Sequence, residues 1–464
     1  MPESETTTRP GARVWAPDSW RSIPHETPFT YADLDALDAS RARLAQLPPL
    51  VTSWEIERLK DQIAQAQRGG RFILQGGDCA ETLDECQPQP IANKLKILLQ
   101  MSLVLIHGLR RPVTRVGRFA GQYAKPRSSP TESGEHDGGA CELPSYFGDL
   151  VNRAPFTPTH REPDPNLMVE AYKHASMTLN FIRSLLDGGF ADLHHPEYWD
   201  LSFFHNADLS PERRAQYESM SRTLADGLSF MENLGETRVH ESTRAEFYTS
   251  HEGLNLHYEQ AQTRGVPRRE GFYDLTTHMP WIGQRNRQLD GPHIEFFRGI
   301  ENPVGVKLGP PIEPGELIGI LDALNPRNEA GKIVCITRMG AGKVDEHLPP
   351  LLERIRDEGR AVLWMSDPMH GNGVKTGAGI KTRNFDDILS ELESVVRAHR
   401  DAGTVLGGVH FELTGEDVTE CVGGAAGITE DDLTRNYATL CDPRLNYHQS
   451  LELAFLLAGA MSNG

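Results

Sequence analysis

Short apolar runs that break into polar, glycine-rich segments recur along this chain. The clearest spans residues 361–373, where Val362, Leu363, Trp364 and Met365 give way to Asp367, Pro368, His370, Gly371 and Asn372. An apolar run of this length suits a strand buried on both faces, and a polar, turn-forming end suits the C-terminal rim of a parallel barrel. The same rhythm marks strand candidates at 71–75, 112–117, 237–241, 272–276, 303–308, 332–337, 361–366 and 407–412. Helix-length segments separate most of them. The pattern therefore predicts an α/β protein built as a (β/α)8 TIM barrel.

Helical spacing appears at 30–47 and 52–69, ahead of the first strand, and again before Gly108, which is expected to end that helix. Residues 1–69 read as an N-terminal arm with helices, and 70–464 as the catalytic barrel. The first thirty or so residues are polar and proline-rich, so they are expected to be ordered only where they dock. Residues 128–144 read as a mobile surface loop. Two long helical patterns lie between about 153 and 235. A barrel unit needs one helix between strands, so part of this stretch is expected to be an inserted helical layer.

Charge changes the picture next. The 464 residues carry 47 Lys and Arg against 65 Asp and Glu, a formal charge of −18. Such a chain repels nucleic acid and anionic membrane, so neither is expected as a partner, and an anionic substrate must be held by a local basic pocket. Arg118, Lys125, Arg127, Arg285, Lys307 and Arg338 all fall at or just beyond strand ends. A single surface Lys or Arg is ordinarily a solvated charge, but six converging on one barrel mouth would make a phosphate pocket.

The six cysteines form no C-x-x-C pair, the N-terminus has no apolar signal core, and no run is long enough for a membrane span. A cytoplasmic protein with reduced thiols is expected. Cys79, His370, Glu412 and Asp442 are donors that suit a divalent ion such as Mn or Co, with Zn and Fe as alternatives. Three of them also have a plainer reading: Cys79 as a small buried apolar group, Glu412 as an exposed acid, Asp442 as a turn former before Pro443.

The segments LQGGDCAE, RFAGQYAKPRS, WIGQRNRQLDGPH, NPVGVKLGP, TRMG, DPMHGN, GIKTRNFDDI, GGVHFELTGEDVTECVGG and CDPRLNYHQSLELAF, in this order, resemble the class II 3-deoxy-D-arabino-heptulosonate 7-phosphate (DAHP) synthases. The resemblance covers about residues 50–460. It implies a (β/α)8 barrel with added helices that condenses phosphoenolpyruvate with erythrose 4-phosphate and opens the shikimate pathway. By the same resemblance the metal ligands fall on Cys79, His370, Glu412 and Asp442. The phosphoenolpyruvate groups fall on Arg118, Gln284, Arg285, Lys307 and Arg338, and the sugar-phosphate pocket on Lys125, Arg127 and Ser128. Lys307, Arg338 and Glu252 are the expected catalytic residues, with a water held near Lys307 or Glu252. A homo-oligomer, dimer or tetramer, is implied, and a chorismate mutase is a candidate partner. Gln284 and Asn286 stand where the family usually has Glu and Thr. A paralogue that uses another aldose phosphate, or a non-catalytic regulatory homologue, would share most of these motifs.

Overall fold

The computed structural model describes residues 14–25, 28–188 and 246–462. Eight parallel strands run in one curled sheet. In chain order they are β1 (Phe72–Gly77), β2 (Val113–Arg118), β3 (Phe247–Thr249), β4 (Trp281–Ile282), β5 (Val304–Leu308), β6 (Ile333–Thr337), β7 (Val362–Ser366) and β8 (Leu406–Glu412). Their spatial order is β3-β2-β1-β8-β7-β6-β5-β4. The ends meet just beyond β3: Trp281 N–H donates to His251 O and Gly253 N–H to Trp281 O, each at 3.0 Å. The fold is a (β/α)8 barrel.

Strand alternation sorts the core. Ile73, Val116, Val334, Ile336, Leu363 and Met365 fill the interior. Phe72, Leu74, Val304, Val306, Cys335 and Trp364 face the surrounding helices. The lower end is closed by a helix that precedes the barrel in sequence. Helix α1 spans Leu34–Gln46 and helix α2 Ser53–Gln67. Helix α2 starts at a capping box in which Thr52 and Glu55 satisfy each other's backbone N–H, and it lays Leu59, Ile63 and Ala66 under the interior layer.

Three sequence expectations are corrected, and a fourth falls outside the described residues. The candidate at 237–241 lies outside the described residues, and the third barrel strand is Phe247–Thr249, directly before the polar His251–Glu252 pair. The candidate at 272–276 is a short strand, Phe272–Asp274, in an antiparallel pair with Thr263–Gly265. The fourth barrel strand is the two-residue Trp281–Ile282, too short to give a periodic signal. Residues 131–144 form a β-hairpin rather than an irregular loop, with Thr131–His136 paired to Gly139–Pro144 around a left-handed Asp137–Gly138 turn. Gly108 does not end helix α3, which runs Pro88–Leu109 and stops at a left-handed Arg110. A Cβ on Gly108 would lie 2.4 Å from Ala458 Cβ, so its absence lets α3 cross the C-terminal helix Tyr447–Ser462 closely.

The N-terminal arm is docked where described. Trp15 Nε1–H donates to Glu295 O at 2.9 Å, and Trp20 is buried. Of the expected insertion, Leu167–Asp187 is a helix, and the second helical pattern lies outside the described residues. Among the described residues, no helix is long and apolar enough to cross a membrane.

Candidate active site

The register of the parallel strands builds the barrel mouth. Gly77 ends β1 level with Arg118 on β2 and Glu412 on β8. One interior step below, Gln75 is level with His410. Gly77 has φ +145°, and a Cβ there would lie 2.9 Å from Arg118 O, so glycine is needed for the chain to turn over the rim. Interior alternation continues upward from Gly305 to Lys307 on β5 and from Ile336 to Arg338 beyond β6.

A cavity of about 400 Å³ opens there. Every candidate site residue lines it except Glu412, which is fully buried at its floor. Among the described residues, eight cationic side chains line the cavity against two carboxylates, Glu252 and Asp442. Six of the eight are those singled out in the sequence. The other two, Lys381 and Arg383, come from a short hairpin beyond β7, Gly373–Lys375 paired with Lys381–Arg383. In a chain of net charge −18, this concentration of positive charge creates a local field for an anion.

The metal-type donors also converge. One ligand atom each from Cys79, Glu412 and Asp442 lie within 4.8 Å of one another. His370 Nε2 is 2.9 Å from Glu412 Oε1, while its Nδ1 is 2.8 Å from Asp367 Oδ2. Although burial alone would raise Asp367, His370 and Lys307 hold its carboxyl well below the usual range, so it accepts from Nδ1–H and orients the ring. Nε2 is then the ring nitrogen turned to Glu412, where a proton or a metal ion can bridge the two. A second group, Asp367, His370 and His410, also places its ligand atoms within 4.8 Å of one another. His410, however, is engaged by Gln75 at 2.7 Å and Arg118 at 2.6 Å. The thiol, imidazole and two carboxylates fit a borderline divalent ion by chemistry; the thiol and carboxylates converge, and the imidazole meets one of those carboxylates. The plainer reading of Glu412 as an exposed acid does not hold, since it is 0 % exposed; Asp442 stands in a bend before Pro443, and both carboxylates face Lys125.

Lys125 is the main surprise. Sequence reading put it with Arg127 and Ser128 at a sugar-phosphate pocket. Its ammonium instead lies among the donors, 3.0 Å from Glu412 Oε1 and 2.6 Å from Asp442 Oδ2, with a hydrogen bond to Cys79 Sγ. Burial opposes its charge, but Asp442, Cys79 and Glu412 outweigh burial and hold its pKa well above the usual value. Burial, a hydrogen bond donated to Cys441 and the Glu412 charge push the Cys79 thiol up. Glu412 is held well below the usual range against its burial by His370, Lys125, Arg383 and Arg118. Nearby cations thus keep the two carboxylates ionised, while the Cys79 thiol keeps its proton.

On the opposite wall, Lys307 pairs with Asp367, and burial pulls its pKa to about 8 despite that partner. Glu252 is buried and pushed up by desolvation, against the pull of Lys125 and Lys307. Arg338 donates to Gln284 Oε1 and to His370 O. Gln284 therefore orients a guanidinium. Arg118 stacks over Trp281 at 5.2 Å and donates to Glu412 at 3.0 Å. Arg127 is 3.9 Å from Glu132, and Arg285 and Ser128 are exposed.

Sequence reading missed Gln122, Asp367, Lys381 and Arg383. Gln122 ties three loops together: Nε2 donates to Cys79 O and Ala124 O, and Oε1 accepts from Glu252 N–H. Asp367 could have been found, since it sits three residues before His370 at the end of the clearest strand.

Residues 15–458 match the class-II DAHP synthetase family. A Neurospora crassa protein named phospho-2-dehydro-3-deoxyheptonate aldolase is 46 % identical over 467 residues, covering 97 % of this chain and 95 % of that one. A Streptomyces coelicolor protein of the same name is 46 % identical over 443 residues, covering 96 % of each. The chain therefore belongs to the class-II DAHP synthetase family.

Proposed function

We propose that the chain is a metal-dependent DAHP synthase that condenses phosphoenolpyruvate with erythrose 4-phosphate and releases inorganic phosphate. The observation that supports this reading is the union, in one barrel mouth, of a cation-lined cavity and the converged donors Cys79, Glu412 and Asp442, with His370 beside Glu412. Cys79, His370, Glu412 and Asp442 would hold the ion. When bound, Mn or Co, with Zn and Fe as alternatives, would supply Lewis-acid polarisation of the aldehyde.

The chain's own residues do the rest. Arg118, Arg285, Lys307 and Arg338 hold the phosphate and carboxylate of phosphoenolpyruvate, with Gln284 fixing Arg338. Arg127 and Ser128 take the sugar phosphate at the exposed side, joined by Lys125. Neutralised this way, two anions that repel each other in water can be held side by side, and positioning of that kind supplies up to about 7–11 kcal/mol in favourable cases. C3 of phosphoenolpyruvate bonds to the aldehyde carbon, C2 becomes electron-poor, and water adds there. Glu252, kept in the wall and faced by cations, takes the proton of that water. Lys307, whose pKa of about 8 lets it release a proton readily, serves the oxygen that gains charge. The C2–O bond of the phosphohemiketal then breaks and phosphate leaves. This reaction would open the shikimate route to aromatic amino acids, and a homo-oligomer goes with the same reading.

Product identity tests the reading. Phosphoenolpyruvate, erythrose 4-phosphate and Mn should yield a seven-carbon sugar acid phosphate and one equivalent of inorganic phosphate. No carbon–carbon product from these two substrates would overturn it. A product formed only with another aldose phosphate would select the paralogue reading instead.

A further inference from the structure

We infer that Lys125 is an internal competitor of the metal, and that its displacement couples metal loading to anion binding. This rests on the metal-site reading above. Three observations carry it.

First, the Lys125 ammonium spends its hydrogens on the proposed metal donors, with Glu412 Oε1 at 3.0 Å, Asp442 Oδ2 at 2.6 Å and Cys79 Sγ in hydrogen-bond contact. A divalent ion would use the same lone pairs, and the two cations cannot occupy them together. Second, other cations around these donors touch one each. Arg118 and Arg383 reach Glu412, and Lys381 reaches Asp442 Oδ1 at 3.2 Å. Among the described residues, Lys125 alone joins all three donors. Third, its stem has somewhere to go. Arg127 and Ser128 follow two and three residues on and line the same cavity, and Arg127 is only loosely paired, 3.9 Å from Glu132. A lysine is suited to such a move because its charge is compact and its four-carbon stem is flexible.

Before a metal binds, the ammonium holds two carboxylates and a thiol together that would otherwise repel. When a metal binds, the same ammonium is driven toward Arg127 and Ser128 and adds one positive charge to the anion pocket. Coupling of this kind is reciprocal: phosphate bound at the pocket must strengthen metal binding by the factor that metal strengthens phosphate. The competing arrangement, in which Lys125 stays as a fixed partner of the ligands, makes the opposite forecast for its removal.

The test is Mn affinity, measured by competition with a fluorescent chelator on the metal-stripped full chain. Lys125→Met should bind Mn at least about tenfold more tightly than wild type, within the usual range of coupling between sites. Inorganic phosphate affinity, measured by calorimetry, should rise on Mn loading in wild type and lose that rise in the variant. Equal or weaker Mn binding by Lys125→Met overturns the inference, as does a phosphate gain of the same size in both proteins. If wild type takes up no Mn at a site that Glu412→Gln removes, the metal reading falls with it. Mn uptake by wild type with no difference in the variant overturns only the role of Lys125. Should Lys125→Met not fold, Lys125→Arg replaces it. A guanidinium keeps the charge but is too broad for a niche filled by one ammonium, so tighter Mn binding is again expected and equal or weaker binding overturns the inference.

Discussion

The two ends of the barrel each bury a lysine, and the two are held in different ways. At the bottom, Lys332 donates to the backbone carbonyls of Ile300 and Asn302, at 2.7 Å for the latter, close to the ion pair of Lys60 with Glu329. At the top, Lys307 pairs with Asp367 and lines an open cavity. Burial depresses both, Lys332 to about 7 and Lys307 to about 8. A depressed lysine is therefore not by itself a mark of chemistry. What separates the two is the partner. Lys332 is satisfied by carbonyls that the fold fixes, while Lys307 shares its acid with His370 and faces space that a substrate can enter. The surroundings differ in the same sense: apolar α2 residues seal the bottom, and side chains with net positive charge ring the top.

The largest expected effect breaks this symmetry outright. Lys307→Met should lower kcat/KM by at least about 10³-fold, as expected when a group that contacts reacting anions is removed. Lys332→Met should leave kcat/KM within a small factor. Steady-state kinetics on both, with thermal melts to confirm folding, decides the matter. Comparable losses in the two variants would erase the distinction between the ends.

A smaller effect sharpens the comparison through pH. Lys332 has a folded pKa below its unfolded value, so between about pH 7 and pH 10 the unfolded chain binds more protons than the folded one. Stability contributed at this site therefore rises with pH across that window. Relative to Lys332→Met, wild type should gain at least about 1 kcal/mol between pH 7 and 9 in denaturant melts. Lys307 should instead show itself in the rate: its protonated form is lost near pH 8, so kcat/KM should bend downward there. An alkaline limb of the rate that Lys307→Met leaves unchanged would assign that pKa elsewhere.

The smallest expected effect concerns Gln284. Its Oε1 accepts from Arg338, and its Nε2 is 3.4 Å from Pro310 O. A glutamate would keep the acceptor and the shape but add a negative charge among the cations. Gln284→Glu should change kcat/KM by no more than about tenfold, the scale of one retuned hydrogen bond. A thousandfold rise would mean that an acid is required here and that the wild-type chain does not run the proposed reaction.

How much of this was legible in the sequence follows the same division between ends. The rim chemistry was readable because each functional residue follows its strand directly: Arg118 ends β2, Lys307 lies in β5, Arg338 follows β6, and Glu412 ends β8. Even where the strand was misplaced, its rim was not. Glu252, Gln284 and Arg285 were singled out although the strands before them were expected at 237–241 and 272–276, and the barrel strands are Phe247–Thr249 and Trp281–Ile282. Two- and three-residue strands such as Trp281–Ile282 carry no period, and a neighbouring aromatic run, Phe272–Asp274, outshone them. The neighbours of Lys125 were not legible, because the place an ammonium on a flexible stem finally occupies is decided by tertiary charge and not by local pattern. Lys381 and Arg383 were missed for a related reason: they reach the mouth on a hairpin from outside the barrel strands.

The central claim is that the donor cluster and the cation-lined cavity work as one site. Phosphate release from phosphoenolpyruvate in the presence of erythrose 4-phosphate tests it most directly, followed first in chelator-stripped protein and then after Mn is restored. The account requires turnover to fall to background on stripping, to return with Mn, and to stay absent in Glu412→Gln whether or not Mn is added. Full turnover in stripped protein, or recovery in Glu412→Gln, would contradict it.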